Sequence, residues 1–424
     1  MDDVTVLADR ATGVHDTPVA PVPQKTVRLT GIDVARGLAV LGMYAVHVGP
    51  DPAAGGYASF FRVFEGHSAA LFAVLAGVSI SLMSGGRRPK TGRARTTVML
   101  RLGTRAPLLV ALGLWLTNLD TGYLVILAYY GVCFLFAIPW LRFGVKVLAG
   151  MAVVAAAVFP FISFLIRAQI EPRGLTFLPP DLTLEDFGSS PAFLRGAVIL
   201  VITGTFPALN LMTYIFAGMA LGRLDLGSTR VCRRLFFGGA ALAGLGYFVS
   251  WIATDLLGGM NAIYRSLGAE AAHYGMSPEQ LFSLNQTWIH GTPPTTTLAW
   301  ELLPTGASYT PFDFVISIGI AAAVIGGCQL VAARFTRAVR PLADLGGRVL
   351  SAYVLHFVAI ALLWHEGEEG VYSLAHFLEF SAVAILAAMA WRKWIGRGPL
   401  EWALHHLSNW PKYLLPAPEP ARRG

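Results

Sequence analysis

Asp33, Arg36 and His47 lie on one apolar run, RLTGIDVARGLAVLGMYAVHVG, residues 28–49. Ionisable groups in a stretch able to cross hydrocarbon are expensive, and by default they mark function. Asp33 and Arg36 stand three apart, share a helix face and can pair, which lowers the cost of burying either charge. A purely structural alternative has Arg36 snorkelling to the head groups with Asp33 as its partner. From Arg36 to His47 is about three turns and about 16 Å, nearly in register on one face. The imidazole of His47 suits a general base near neutral pH. Its alternative is an interfacial histidine bonded to a loop.

Glu65, Gly66, His67 and Ser68 open the next apolar run on the same side, so the connecting loop brings His67 towards His47. Ser68 is the expected N-cap of that second helix. His356, in SAYVLHFVAI with Ser351 and Tyr353 nearby, falls in the middle of a late run and is expected to face the bundle interior. There it binds, catalyses or simply bonds a neighbour. His365, His376, His405 and His406 fall at run ends or in the tail and read as interfacial.

These groups need a scaffold, and the composition says which kind. Of 424 residues, 55% are hydrophobic and only 13% charged, with a mean hydropathy of +0.58. Soluble domains carry about 25% charged residues. The expected fold is therefore all-α, a polytopic transmembrane helical bundle. Windows of ~20 apolar residues give ten spans, near 32–48, 67–84, 102–118, 122–141, 145–168, 206–223, 233–256, 312–333, 346–364 and 372–392. The stretch Ala192–Ile202 is too short to span and is expected at the surface or as a re-entrant segment. Residues 1–27 are polar and proline-containing and read as a disordered tail, and the bundle occupies 28–395. Residues 396–424 read as an amphipathic helix and tail on the membrane surface, with Leu400, Trp402, Ala403, Leu404 and Leu407 on the apolar face.

The net charge of +7 does not point to nucleic acid, because the basic residues cluster between apolar runs. The loop with Arg87, Arg88, Lys90, Arg93 and Arg95 belongs in the cytoplasm by the positive-inside rule, and counting from it puts both termini there. Two long loops on the other side, 169–205 and 257–311, exceed the usual loop length and suit a folded lid over an outward cavity. Cys133, Cys232 and Cys328 have neither disulfide nor zinc spacing, so no metal site is expected. Topology alone explains the basic loop, but Arg87 and Arg88 also suit the phosphates of a nucleotide-bearing donor. No Walker loop, dinucleotide fingerprint or nucleophile elbow accompanies them.

GIDVARGLAVLGMYAVH, EGHSAALFAVLAGVSISL, PFDFVISIGIAAAVIGGCQLVA, GGRVLSAYVLH and RGPLEWALHHL together resemble the DUF418 (YeiB-like) family of bacterial membrane proteins, over about 28–408. The first span also resembles the wider transmembrane acyltransferase group, which includes the acyltransferase-3 and heparan-glucosaminide N-acetyltransferase proteins. The resemblance implies an enzyme of the bacterial cytoplasmic membrane that takes an acyl group, usually acetyl, from cytoplasmic acyl-CoA. It passes the group to a hydroxyl or amine of a glycan or small molecule outside. By motif position the functional arginine and histidine are Arg36 and His47, with weight added to His356. The catalytic histidine stays open between His47 and His67. The acyl-CoA site is expected from Arg36, Asp33, Arg87 and Arg88. Where related sequences carry a histidine before the eighth span this chain reads TGASYTPFD, with Ser308 and Tyr309 in its place. A proton-coupled transporter or exporter, and a non-catalytic scaffold, are the competing readings. Expected partners are the bilayer, the acceptor and a second copy in a homodimer.

Overall fold

The computed structural model describes residues 29–170, 174, 180–285, 291–364 and 372–410. The tail expected at 1–27, the end of the chain from 411, His365 and the loop residues Trp288 and His290 lie outside these. The helices, in order, are α1 (Thr30–Val48), α2 (His67–Met83), α3 (Gly92–Thr117), α4 (Leu127–Ala137) and α5 (Val145–Ile170). Next come α6 (Ser190–Val198), α7 (Ala208–Gly222), α8 (Thr229–Trp251), α9 (Gly259–His273) and α10 (Pro278–Asn285). The last are α11 (Pro311–Arg334), α12 (Arg340–Gly346), α13 (Val349–Leu363), α14 (Leu374–Trp394) and α15 (Pro399–Leu407). No strand occurs among the described residues, so the fold is all-helical.

Among the described residues seven helical segments are long and apolar enough to cross a membrane, and nine if each of two bent pairs counts as one span. The ten expected windows all find helices, but three are not straight crossings. Window 122–141 becomes a shorter apolar helix, Leu127–Arg142. The stretch 192–202, too short to span by itself, is the first arm of a bent pair, a broken span or a re-entrant segment, in which Ser190–Thr203 meets Ala208–Gly222 at 48°. Pro207 sits at that joint as the N-cap of α7, where a ring without an N–H ends one helix and starts the next. A second break, of 79°, separates α12 from α13.

α1 is the central helix: 78% of its apolar window is buried, against 6% for α14. Glycines let it pack against backbone. A Cβ on Gly37 would fall 2.4 Å from the Leu342 carbonyl of α12, and one on Gly346 would fall 1.7 Å from the Asp33 carbonyl. α2 and α7 approach in the same way through Gly77 and Gly218. Small residues at such crossings suit helix association in lipid, where packing rather than the hydrophobic effect draws helices together.

Hydrogen bonds from charged side chains tie the helix ends at the basic pole. Arg223 donates to the carbonyls of Ser81, Gly86, Leu141 and Phe143, joining the ends of α2, α4 and α7. Arg392 pairs with Asp344 at 3.1 Å, and Arg348 donates to the Gly396 carbonyl. α15 does more than lie on a surface. Leu400 and Leu404 pack on the bundle core, while Trp402 and Leu407 stay exposed. Its Glu401 carboxylate accepts from the Leu350 and Ser351 amides at 2.7 and 3.1 Å and from the Ser351 hydroxyl at 2.5 Å. The G-P-L-E-W motif thus places an anion on the N-terminus of α13, where the helix dipole is positive and the first amides lack helical partners.

At the opposite pole the described parts of the long loop, 257–285 and 291–311, are folded. Ile263, Leu267, Ala271, Leu281, Phe282, Trp300 and Leu303 form a small core of their own. Beneath it Glu301 is 2% exposed, and among the described residues neither of its carboxylate oxygens has a hydrogen-bond partner. Burial pushes this carboxyl up to about 7, with Arg167 acting in the opposite direction.

Two outcomes are expected. Glu401→Ala removes a charge-assisted cap and should cost about 2 kcal/mol, read as a lower melting midpoint in tryptophan fluorescence; an unchanged midpoint contradicts the capping role. Glu301 is protonated more readily in the folded chain than in the unfolded one. Its contribution is full below the ordinary glutamate range and is lost as pH rises through about 7. Thermal stability should therefore fall between pH 5 and 8, and Glu301→Gln should flatten that slope.

Candidate active site

Three clusters of buried polar residues touch α1 or α2. The first lies near the basic pole. Arg36 Nη1 donates to Asp33 Oδ1 at 3.0 Å and Nη2 to Ser79 Oγ at 2.7 Å, and that hydroxyl donates to the Leu75 carbonyl. The i,i+3 pair expected on α1 therefore exists, and Ser79 of α2 adds a partner that the sequence did not suggest. Arg87 and Arg88 are exposed outside this cluster, and Arg87 pairs with Asp225 at 3.0 Å.

The second cluster is deep between α1 and α13. His47 Nδ1 lies 2.9 Å from His356 Nε2, so the two imidazoles share one N–H···N bond. Tyr123 stacks on His47 at 4.7 Å, Tyr44 packs 4.9 Å from His356, and Phe357 closes the edge. Tyr44 donates to the Ala352 carbonyl, which fixes α13 against α1. Both histidines are nearly fully buried. His356 faces inward as expected, and its neighbour is the other histidine singled out from the sequence. Its wall also borders a slot of about 550 Å³ between α13 and α14.

The third cluster forms where α2 begins. His67 is the first residue of α2 after Gly66, whose left-handed backbone (φ 70°) turns the chain into the helix. Ser68 is not the N-cap; its hydroxyl faces α1, where a Cβ on Gly42 would lie 2.2 Å away. His67 and His47 make no shared contact: His67 turns instead to α8 and α11. His67 Nδ1 lies 2.9 Å from Ser317 Oγ, and Ser317 Oγ donates to Asp313 Oδ1 at 2.7 Å. Asp313 is fully buried and also accepts from the Tyr214 hydroxyl and the Tyr309 amide, with Thr310 capping the helix start.

The hydrogen-bond order assigns the tautomer. The Ser317 proton is committed to Asp313, so Ser317 accepts from His67 Nδ1–H, leaving Nε2 as the basic nitrogen. Nε2 receives the Tyr247 hydroxyl at 3.1 Å. Both side chains line a polar cavity of about 670 Å³ at the pole away from the arginine-rich loop. Arg62, Glu65, Thr254, Asp255, Tyr264 and Thr305 share its walls. Thr254 and Asp255 enter through a π-helical turn, Ile252–Leu256, that closes α8.

Sequence reasoning did not assign roles to Asp313, Ser317 and Tyr247. Asp313 and Ser317 stand four apart near the start of an apolar run, a spacing that puts an acid and a hydroxyl on one helix face. Tyr247 carried no such signal, since only tertiary packing brings α8 to α2. Of the residues expected before α11, Ser308 hydrogen-bonds only to the loop and helix start around it. Tyr309 takes a left-handed backbone (φ 58°) that presents its amide to Asp313. Among the described residues no group of three or more His, Cys, Asp or Glu is arranged to hold a metal.

The family described as heparan-alpha-glucosaminide N-acetyltransferase, catalytic, matches residues 28–231, and the protein family of unknown function DUF418 matches 287–411. No curated protein matches the chain. The first match carries α1, α2 and the histidines His47 and His67. The second carries Asp313, Ser317, His356 and Glu401, so each of the two histidine clusters takes residues from both. The first match also points to a membrane N-acetyltransferase family. The apolar helices and the two matches together make this a multi-pass membrane protein, similar over residues 28–231 to the heparan-glucosaminide N-acetyltransferase catalytic model and over 287–411 to DUF418.

Proposed function

We propose that this protein transfers an acyl group, most simply acetyl, from acyl-CoA to a hydroxyl or amine held in the polar cavity, with His67 as general base. The observation that carries this reading is the orientation of His67: Asp313 acts through Ser317 to hold Nδ1–H, leaving Nε2 basic at the cavity wall. A carboxylate that fixes the tautomer and ring position of a histidine base is a recurring arrangement in acyl transfer. His67 Nε2 takes the acceptor proton, directly or through Tyr247. The acceptor oxygen or nitrogen then bonds to the thioester carbonyl carbon, the C–S bond breaks, and the thiolate leaves and takes up a proton.

The donor is proposed to enter at the basic pole, in keeping with the cytoplasmic side expected for the arginine-rich loops. Arg36, held by Asp33 and Ser79, is suited to an anionic part of acyl-CoA near the pole. From Ser79 to His67 along α2 is about 18 Å, a distance for the extended pantetheine arm. In this reading the His47–His356 pair, sealed among aromatic rings, supports α1 against α13 rather than meeting the acceptor.

Purified protein given acetyl-CoA and glucosamine, the acceptor type in the name of the matched family, should release free thiol. His67→Ala should lower that rate about 10²–10⁴-fold with an unchanged melting midpoint, and Asp313→Asn should lower it less. A His67→Ala enzyme of full activity, or activity lost in His47→Ala and kept in His67→Ala, overturns the assignment. Stabilisation by acetyl-CoA in a thermal shift separates the transferase from a transporter that does not bind the thioester.

A further inference from the structure

The slot between α13 and α14 has no part in the proposed transfer. Its walls are apolar, and alanines keep it open: Ala352 and Ala359 on one side, Ala384, Ala387 and Ala388 on the other. It opens between flanks that face lipid, with Leu355 and Val383 both more than half exposed. An aliphatic chain from the bilayer is therefore the occupant with direct access.

Arg348, Ser351, His356 and His376 also border it, and one carboxylate lines it. Glu379 lines it, is exposed, and makes no hydrogen bond or ion pair among the described residues. It lies five residues into α14, about 8 Å along the axis, in the half of the helix nearer the pole away from the arginine-rich loops. An uncompensated carboxylate there is costly and calls for a partner. The nearest histidine on α14, His376, is one turn above and packs on Trp364 at 5.1 Å. Below Glu379 the slot continues along Phe380, Val383, Ala384 and Ala387 to Trp391. That is about 18 Å of helix, close to the ~15 Å that one leaflet contributes to a ~30 Å hydrocarbon core.

We propose that this slot binds a phospholipid with a primary-amine head group, its ammonium on Glu379 and one hydrocarbon chain along α14. Charge selects the head: a carboxylate within the span attracts a cationic hydrogen-bond donor and repels an anionic one. The small side chains admit the tail. His356 belongs to the same wall, so an occupied slot borders the His47–His356 pair.

The test reads lipid retention rather than acyl transfer, so it stands apart from the catalytic reading. Purified protein in mixed micelles is given equal amounts of phosphatidylethanolamine and phosphatidylglycerol with identical chains, and bound lipid is counted by native mass spectrometry. Phosphatidylethanolamine should be retained at least tenfold over phosphatidylglycerol in the wild type. Glu379→Gln should abolish that preference, and Ala384→Phe, which fills the slot, should lower retention of both lipids. Equal retention of the two lipids by the wild type overturns the proposal without any variant. So does a preference that survives Glu379→Gln, or full retention by an Ala384→Phe protein whose melting midpoint is unchanged.

Discussion

The structure depends on the cost of leaving a polar group unpartnered in an apolar interior. Water is absent from the hydrocarbon region, so each buried charge, hydroxyl or imidazole must find its partner in the protein. Asp33 finds Arg36, His47 finds His356, and Asp313 gathers two hydroxyls and an amide. The His47–His356, Tyr214–Asp313 and His67–Ser317 bonds join helices far apart in sequence, and they leave few alternative ways to pack α1 and α2. Glycines at the crossings then bring the backbones close enough for the bonds to form.

The same constraint divides the molecule into a rigid half and an adaptable one. α1, α2, α7 and α11 meet through small residues and buried polar contacts. α14 has few buried residues and reaches the rest through α1, α12 and the Arg392–Asp344 pair. An open slot next to α14 follows from that loose seating. Glu401 offsets the looseness on the α13 side by capping the helix start. The C-terminal motif thereby supports the helix that carries His356 without approaching that residue.

The polar cavity shows how a functional group is held where folding physics alone would not put one. His67 starts a helix instead of lying within it, so its ring can face a cavity while its backbone enters the apolar core. Asp313 lies in the first turn of α11, with Thr310 as the cap. Helix starts are the places where a membrane bundle can present polar side chains at lowest cost, because unpaired amides there already favour anions.

Much of this was legible in the order of residues. Period and length of the apolar runs determine an all-helical membrane bundle, since in lipid a helix satisfies its own backbone within the segment. Spacing alone determines that Asp33 and Arg36 share a face. What the sequence could not decide is which histidine meets which partner. His47 and His67 read as neighbours because one loop joins their helices on the same side, yet their rings turn to different helices, α13 in one case and α8 with α11 in the other. The reason is physical: spacing sets the direction of a side chain about its own helix axis, but the helix that lies there is chosen by crossings between glycines and by polar partners hundreds of residues away. The bends at 204–207 and 347–348, the folded loop beneath Trp300 and the anion cap from Glu401 are likewise products of packing, and only the tertiary structure decides them.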